Sequence, residues 1–300
     1  MGARAGTSTL TSSCAPVTIA GMNLAVVREQ FLEMIARPDE ELDLATAALL
    51  IAKEEYPALD VAAYRSRLDG LAARALPRVR ELHGNPFAVI DALNTCLFVE
   101  EGFRGDTEEY FDPRNSFLNE VLDRKRGIPI TLSVIYMEVA ARLGYAMRGV
   151  GFPGHFIVRH ATEGRDILID PFHGGEILMP EDCRWRLKAV FGAEVPFDTR
   201  YLDSVGKRQI LTRMLENLKA IYMKGDDHGR ALRVIDRLLA LSPDDTGLLR
   251  DRGYSNLNLC RFERAVNDLE AYLRSWPAAN DANAVRRQIT SIRRLSAGMN

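Results

Sequence analysis

The stretch RGIPITLSVIYMEVAARLGYAMRGVGFPGHFIVRHATEGRDILIDPFHGG, from Arg126 to Gly175, decides the fold. Its first half reads as one helix. Pro129 stands where a first helical turn would begin, a position that needs no N–H, and Gly144 ends the segment. Between them Ile130, Leu132, Val134, Ile135, Met137, Val139, Ala140 and Leu143 put apolar side chains on almost all sides, which predicts a helix buried in the middle of a domain. The second half reads as strands: Ala146–Phe152 and His155–Arg159 on either side of Pro153-Gly154, then Ile167–Asp170 after the turn ATEG.

The last two strands make a hairpin with a testable register. A symmetric pairing in which residue numbers sum to 325 puts Arg159 opposite Asp166, Ile157 opposite Leu168 and His155 opposite Asp170. His155 and Asp170 then share a face within hydrogen-bonding reach. A carboxylate on one imidazole nitrogen fixes the tautomer and stabilises the imidazolium. The pair is therefore either a structural contact at a strand end or two members of a nucleophile–His–Asp triad.

Upstream, four amphipathic helices are expected. Val27, Phe31, Met34 and Ile35 mark the first, over residues 24–36, and Pro38 stops it. The second runs through Leu44, Ala48 and Ile51 to Tyr56. The third follows Asp60 and ends at Pro77. The fourth follows Pro86 and ends near Gly102. The connector from Gly102 to Ser133 has turn chemistry at Gly105 and Asp112-Pro113, and Asn115 or Ser116 is placed to cap a short helix.

Downstream, the pattern becomes wholly helical and repeats. Leu215 and Leu249, Ala231 and Ala265, and Pro243 and Pro277 are each 34 residues apart. A 34-residue helix–turn–helix period with a small residue in the second helix and a proline after it is the tetratricopeptide pattern. Two copies and a capping helix over Ala284–Leu295 make a short solenoid.

Composition narrows the function classes. A net charge of −2 supplies no pull toward nucleic acid or an anionic membrane, and no apolar run is long enough to span a bilayer. The four cysteines, Cys14, Cys96, Cys183 and Cys260, are far apart and form no CxxC pair, which argues against a disulfide framework and fits a cytoplasmic protein. Residues 1–22, rich in Ser, Thr, Ala and Gly, are expected to be a disordered tail rather than a secretory signal. No nucleotide-binding loop is present. His155, Asp170 and His173 offer three ligands, but their spacing matches no standard metal site, so neither metal nor cofactor is expected.

The segments GFRGDTEEYFDPRNSFLNEVLDRKRGIPITLSVIY, GVGFPGHFIVR and IDPFHGG resemble the bacterial SirB family, over about Leu42 to Pro277. The resemblance implies an α+β, transglutaminase-like (papain-like) core over 23–205 with N-terminal helices, in which a central helix packs on an antiparallel sheet, followed by all-α tetratricopeptide repeats over 207–300. Active members of the wider superfamily use Cys, His and Asp. His155 matches that His and Asp170 that Asp, but no cysteine lies between Cys96 and Cys183, and the helix start reads Gly127 to Ser133 without one. Thr131 and Ser133 are the hydroxyls at that end. Each is either a first-turn backbone partner or a weak substitute nucleophile.

Two functions follow as expectations. One is a transglutaminase-like domain without its thiol, joined to repeats that bind a protein or peptide in a regulatory role. The other is an amide hydrolase or acyltransferase with Ser133 or Thr131 as nucleophile, His155 as base and Asp170 as its orienter.

Overall fold

The computed structural model describes residues 19–80, 85–162, 166–192 and 194–297. Residues 1–18, most of the tail expected to be disordered, lie outside the described residues. Four helices come first: α1 (Ile19–Ala36), α2 (Leu44–Glu55), α3 (Val61–Arg80) and α4 (Pro86–Asn94), the last continuing as a π-helical turn over Thr95–Glu100. Asp43 caps α2 by accepting the Thr46 N–H, and Asn85 caps α4 by accepting the N–H groups of Phe87 and Ala88. α3 does not end at Pro77 as expected but runs one turn further. Val79 is buried in the core and Arg78 pairs with Glu100, contacts that offset the hydrogen bond a helical proline removes.

A two-stranded parallel ladder of β1 (Arg104–Gly105) and β2 (Arg126–Gly127) frames the connector. Between them lie a 3₁₀ turn over Pro113–Ser116 and α5 (Leu118–Arg124). Asp112 caps the 3₁₀ turn; neither Asn115 nor Ser116 caps α5, whose N-cap is Phe117. Asn115 is instead fully buried, because its side chain is needed elsewhere: it donates to Asp106 Oδ2 at 3.2 Å and to the Glu109 carbonyl at 2.7 Å, and accepts from Arg124 Nη1 at 3.2 Å.

α6 (Pro129–Arg142) is the helix anticipated in the middle of the domain, with eleven of its residues from Pro129 to Ala140 buried. It packs on an antiparallel sheet whose order is β6 (Glu176–Leu178), β5 (Asp166–Asp170), β4 (Ile157–Ala161), β3 (Arg148–Val150) and β7 (Ser204–Val205). Phe156, Val158, Ile167 and Ile169 join the α6 core; Ile157, Leu168 and Leu178 face the other way, onto Cys183 and Leu187 of α7 (Pro180–Phe191). Both faces of the hairpin are therefore covered.

The hairpin register differs from the expected one by two residues. Arg159 pairs with Leu168, and the ladder extends to Ala161 opposite Asp166. An even shift leaves every side chain on its expected face, so the hydrophobic pattern is the same for both registers and only the turn chooses between them. Arg159 and Asp166 still form an ion pair across the diagonal.

The repeats are α8 (Lys207–Lys224) with α9 (His228–Leu241), α10 (Thr246–Asn258) with α11 (Phe262–Ser275), and the closing α12 (Ala282–Ala297). The first repeat shares one continuous core with α1 to α6, whereas Ala265, Leu269, Tyr272, Val285, Ile289 and Ile292 form a separate cluster in the second. Among the described residues no helix is long and apolar enough to cross a membrane.

At Gly253 the helices of the second repeat come too close for a side chain: a Cβ there would meet Leu269 Cγ at 2.8 Å and the Ala265 carbonyl at 3.3 Å. Gly253→Ala is expected to lower the unfolding free energy by about 1–2 kcal/mol despite the better helix propensity of alanine. A urea melt followed by circular dichroism measures it, and an unchanged midpoint would show that α10 and α11 separate at no cost.

Candidate functional site

Asp170 ends β5 and is fully buried. Its Oδ1 accepts the Phe172 N–H at 3.1 Å, capping a 3₁₀ turn over Pro171–His173. Three donors converge on Oδ2: His155 Nε2 at 2.8 Å, His173 Nδ1 at 2.8 Å and Arg186 Nη1. Arg186 comes from α7, and its Nη2 also reaches Glu176 Oε2 at 2.6 Å. Burial alone would raise the Asp170 carboxyl. The hydrogen bonds and charges of His155 and then His173 outweigh it and bring the group down to about 2.

His155 arrives by a tight turn. Its N–H donates to the Phe152 carbonyl at 3.0 Å, and Gly154 between them has φ +70°, a conformation that favours glycine. His155 is not directly opposite Asp170, since the observed register places it beyond the end of β4. It reaches the carboxylate diagonally from the same face. The predicted pair thus forms despite the shifted ladder.

Thr131 and Ser133 are placed differently. Thr131 Oγ1 donates to the Asn115 carbonyl at 2.8 Å, lies 3.1 Å from the Ile128 carbonyl and accepts the Ile128 N–H at 3.2 Å, with no exposed surface. It ties the start of α6 to the Asn115 knot. Ser133 is equally buried, and its Oγ has no hydrogen-bond partner among the described residues. Neither hydroxyl bonds to the His155 imidazole. The buried thiols, Cys96 and Cys183, fare no better as nucleophiles. Burial pushes Cys96 up, with Glu100 and Glu101 adding to the effect, and burial pushes Cys183 up to about 11.

His173 is half-exposed yet bonded to Asp170. His155, Asp170 and His173 bring potential ligand atoms within 4.8 Å of one another, but Arg186 already sets a guanidinium on the shared oxygen and stands 3.0 Å from His173 Nδ1. The cluster supplies its own cation. Nothing in the segment DCRWRLK singles out Arg186, because α7 is brought over the sheet only by packing through Cys183 and Leu187.

A second site lies between α1 and the repeats. It is an open groove of about 1020 Å³, with Leu24, Arg28 and Leu32 on one wall and Arg261, Arg264 and Asn267 on the other. Arg252 is held by Asp268 at 2.7 and 3.0 Å, and Arg28 by Asp236 at 2.9 Å. Among the described residues no carboxylate pairs with Arg261 or Arg264, and Glu29 is the only unpaired acid of the lining.

Comparison with known proteins agrees with this architecture. A family model described as the transglutaminase-like superfamily matches residues 62–216, and a tetratricopeptide-repeat model matches residues 218–290. The chain belongs to the transglutaminase-like superfamily, in the SirB-like group. A "UPF0162 protein" of Xylella fastidiosa (strain Temecula1) is 40% identical over 257 residues, covering 85% of this chain and 91% of the relative. A "UPF0162 protein" of Vibrio cholerae is 31% identical over 206 residues, 68% of this chain and 76% of the relative. F-box only protein 21 of Mus musculus is 32% identical over 172 residues, 54% of this chain and 26% of that protein. Transglutaminase-like and tetratricopeptide domains together support a role in protein interaction.

Because the folded-state value of Asp170 lies below its ordinary 3.8, its contribution to stability is complete above about pH 5 and is lost as the pH falls through 3.8 toward 2. The shift corresponds to about 2 kcal/mol. Asp170→Asn is expected to cost at least about that much at pH 7, since it leaves Arg186 without its buried partner, and to flatten the acid side of the stability curve. Chemical denaturation at stepped pH reads both. Parallel acid limbs in wild type and variant would show that Asp170 is not the titrating group.

Proposed function

We propose that this protein is a cytoplasmic peptide-binding regulator in which a transglutaminase-like domain without a thiol nucleophile is fused to tetratricopeptide repeats. The observation that carries it is the groove between α1 and the repeats, with an apolar wall at Leu24 and Leu32 facing the unpaired Arg261 and Arg264. Unpaired guanidiniums beside apolar surface suit an amphipathic acidic segment. The lack of a thiol at the start of α6 supports a binding role over acyl transfer. The free thiols of Cys96, Cys183 and Cys260 fit a reducing compartment.

A fluorescein-labelled peptide of alternating Leu and Glu, titrated with the full chain in an anisotropy assay, tests the groove. The double variant Arg261→Glu, Arg264→Glu is expected to weaken binding at least about tenfold, and a Leu–Lys peptide is expected to bind poorly to wild type. Equal affinity of wild type and double variant for the acidic peptide would remove the groove as the binding site.

The hydrogen bond between His155 and Asp170 favours a second reading, an amide hydrolase or acyltransferase using Ser133 or Thr131. The engaged Thr131 hydroxyl and the enclosed Ser133 weigh against it. On this proposal amide and ester substrates show no turnover that depends on His155, so wild type and His155→Ala give equal rates. A drop of about 100-fold or more in the variant would restore the catalytic reading.

A further inference from the structure

Another cation without a counter-charge lies beside His155, on α8. Arg213 Nη2 donates to the carbonyls of His155 and Phe152 at 3.3 and 3.5 Å, both long for such bonds. Among the described residues no carboxylate pairs with it. Its Nε and Nη1 make no hydrogen bond to any described residue and are not sealed from solvent. Burial nevertheless pushes Arg213 below the usual arginine range. Burial does the same to Arg237, but Arg237 has Glu54 at 3.0 Å. A half-buried guanidinium with its counter-charge missing is an unfavourable arrangement for the free protein.

The surroundings define what would complete it. Tyr110 belongs to the row of aromatic side chains that leads to His155, on whose backbone carbonyl Arg213 sits. Its ring meets Phe172 edge-on at 6.2 Å, and Phe172 meets the His155 ring edge-on at 5.9 Å. Phe111, edge-on to Tyr110 at 5.3 Å, is two-thirds exposed. An aromatic wall thus runs from Phe111 and Tyr110 through Phe172 to the imidazole of His155, whose backbone carbonyl accepts from Arg213. Nε and Nη1 each keep a charge-assisted N–H for a carboxylate oxygen, and the wall accepts another ring edge-on.

We propose that Arg213 anchors a carboxylate subsite at the mouth of the His155–Asp170 pair, which takes a peptide carboxylate with an aromatic side chain beside it. The guanidinium holds the carboxylate, Tyr110 and Phe172 contact the ring, and His155 lies at the far end of the wall. This subsite is separate from the groove between α1 and the repeats, and its occupancy does not depend on that groove.

N-acetylphenylalanine, N-acetylphenylalaninamide and inorganic phosphate are titrated separately into the full chain. The His155 imidazole C–H resonance, assigned with His155→Gln, is followed by NMR. The acid is expected to shift it saturably, and the neutral amide to bind at least about tenfold more weakly. Arg213→Met is expected to abolish the shift. Arg213→Lys, which keeps the charge but loses the planar guanidinium that bonds the two carbonyls while presenting Nε and Nη1, is expected to weaken it several-fold, with a thermal melt confirming that the variant is folded. Acid and amide binding alike, an unchanged affinity in folded Arg213→Lys or Arg213→Met, or no saturable shift in wild type would each overturn the subsite. Phosphate binding more tightly than the acid would overturn its assignment to a carboxylate.

Discussion

Burial of α6 on all sides is the constraint on which the rest of the structure depends. A helix with no solvent face must be enclosed by elements distant in sequence, and each contact then fixes one of them. Thr131 fastens its start to Asn115, and through Asn115 to Asp106, Glu109 and Arg124. Tyr136, buried at its middle, donates to Asn94 Oδ1 at 3.0 Å. Asn94 Nδ2 in turn donates to the Gly175 carbonyl at 2.9 Å, and the Gly175 N–H donates to the Asp170 carbonyl at 2.9 Å. A Cβ on Gly175 would fall 2.0 Å from Asn94 Oδ1, so that link requires glycine. The position of the buried carboxylate is thus transmitted from the central helix through one asparagine.

That carboxylate is a point of charge balance. One oxygen receives two imidazoles and a guanidinium, and Glu176 shares the same guanidinium. With the charge of Asp170 so fully engaged, the pair is well oriented and strongly tied to the fold. A superfamily enzyme needs in addition a thiol at the positive end of the central helix. Here that end carries Thr131, whose hydroxyl is occupied in holding the helix start.

The two repeats play different parts. The first is fused to the N-terminal helices: Arg237 of α9 is buried against Glu54 and lies over the Phe31 ring at 4.8 Å, and Arg230 and Arg233 reach Glu55. Docking within the chain therefore consumes much of the first repeat. The second repeat keeps its own core and presents Arg261 and Arg264 to the open groove. The same device, a guanidinium with no carboxylate, recurs at Arg213.

The sequence by itself determined the elements and their faces. The period of α6, the 34-residue repeat, and the parity that puts His155 and Asp170 on one face are all local patterns, and periodicity records which side of an element is buried. Even the two-residue error in hairpin register left that pair intact, because parity survives an even shift. Pro77 showed the limit of local signals: the burial of Val79 outweighs a helix breaker. What only the tertiary structure decided is who meets whom across the chain. Arg186 reaches Asp170 because α7 is packed over the far face of the sheet, and Asn115 serves Thr131 rather than a helix end. Arg213 is left beside His155 with no counter-charge among the described residues. No periodicity encodes such encounters, since each depends on the relative placement of elements whose hydrophobic faces fit more than one partner.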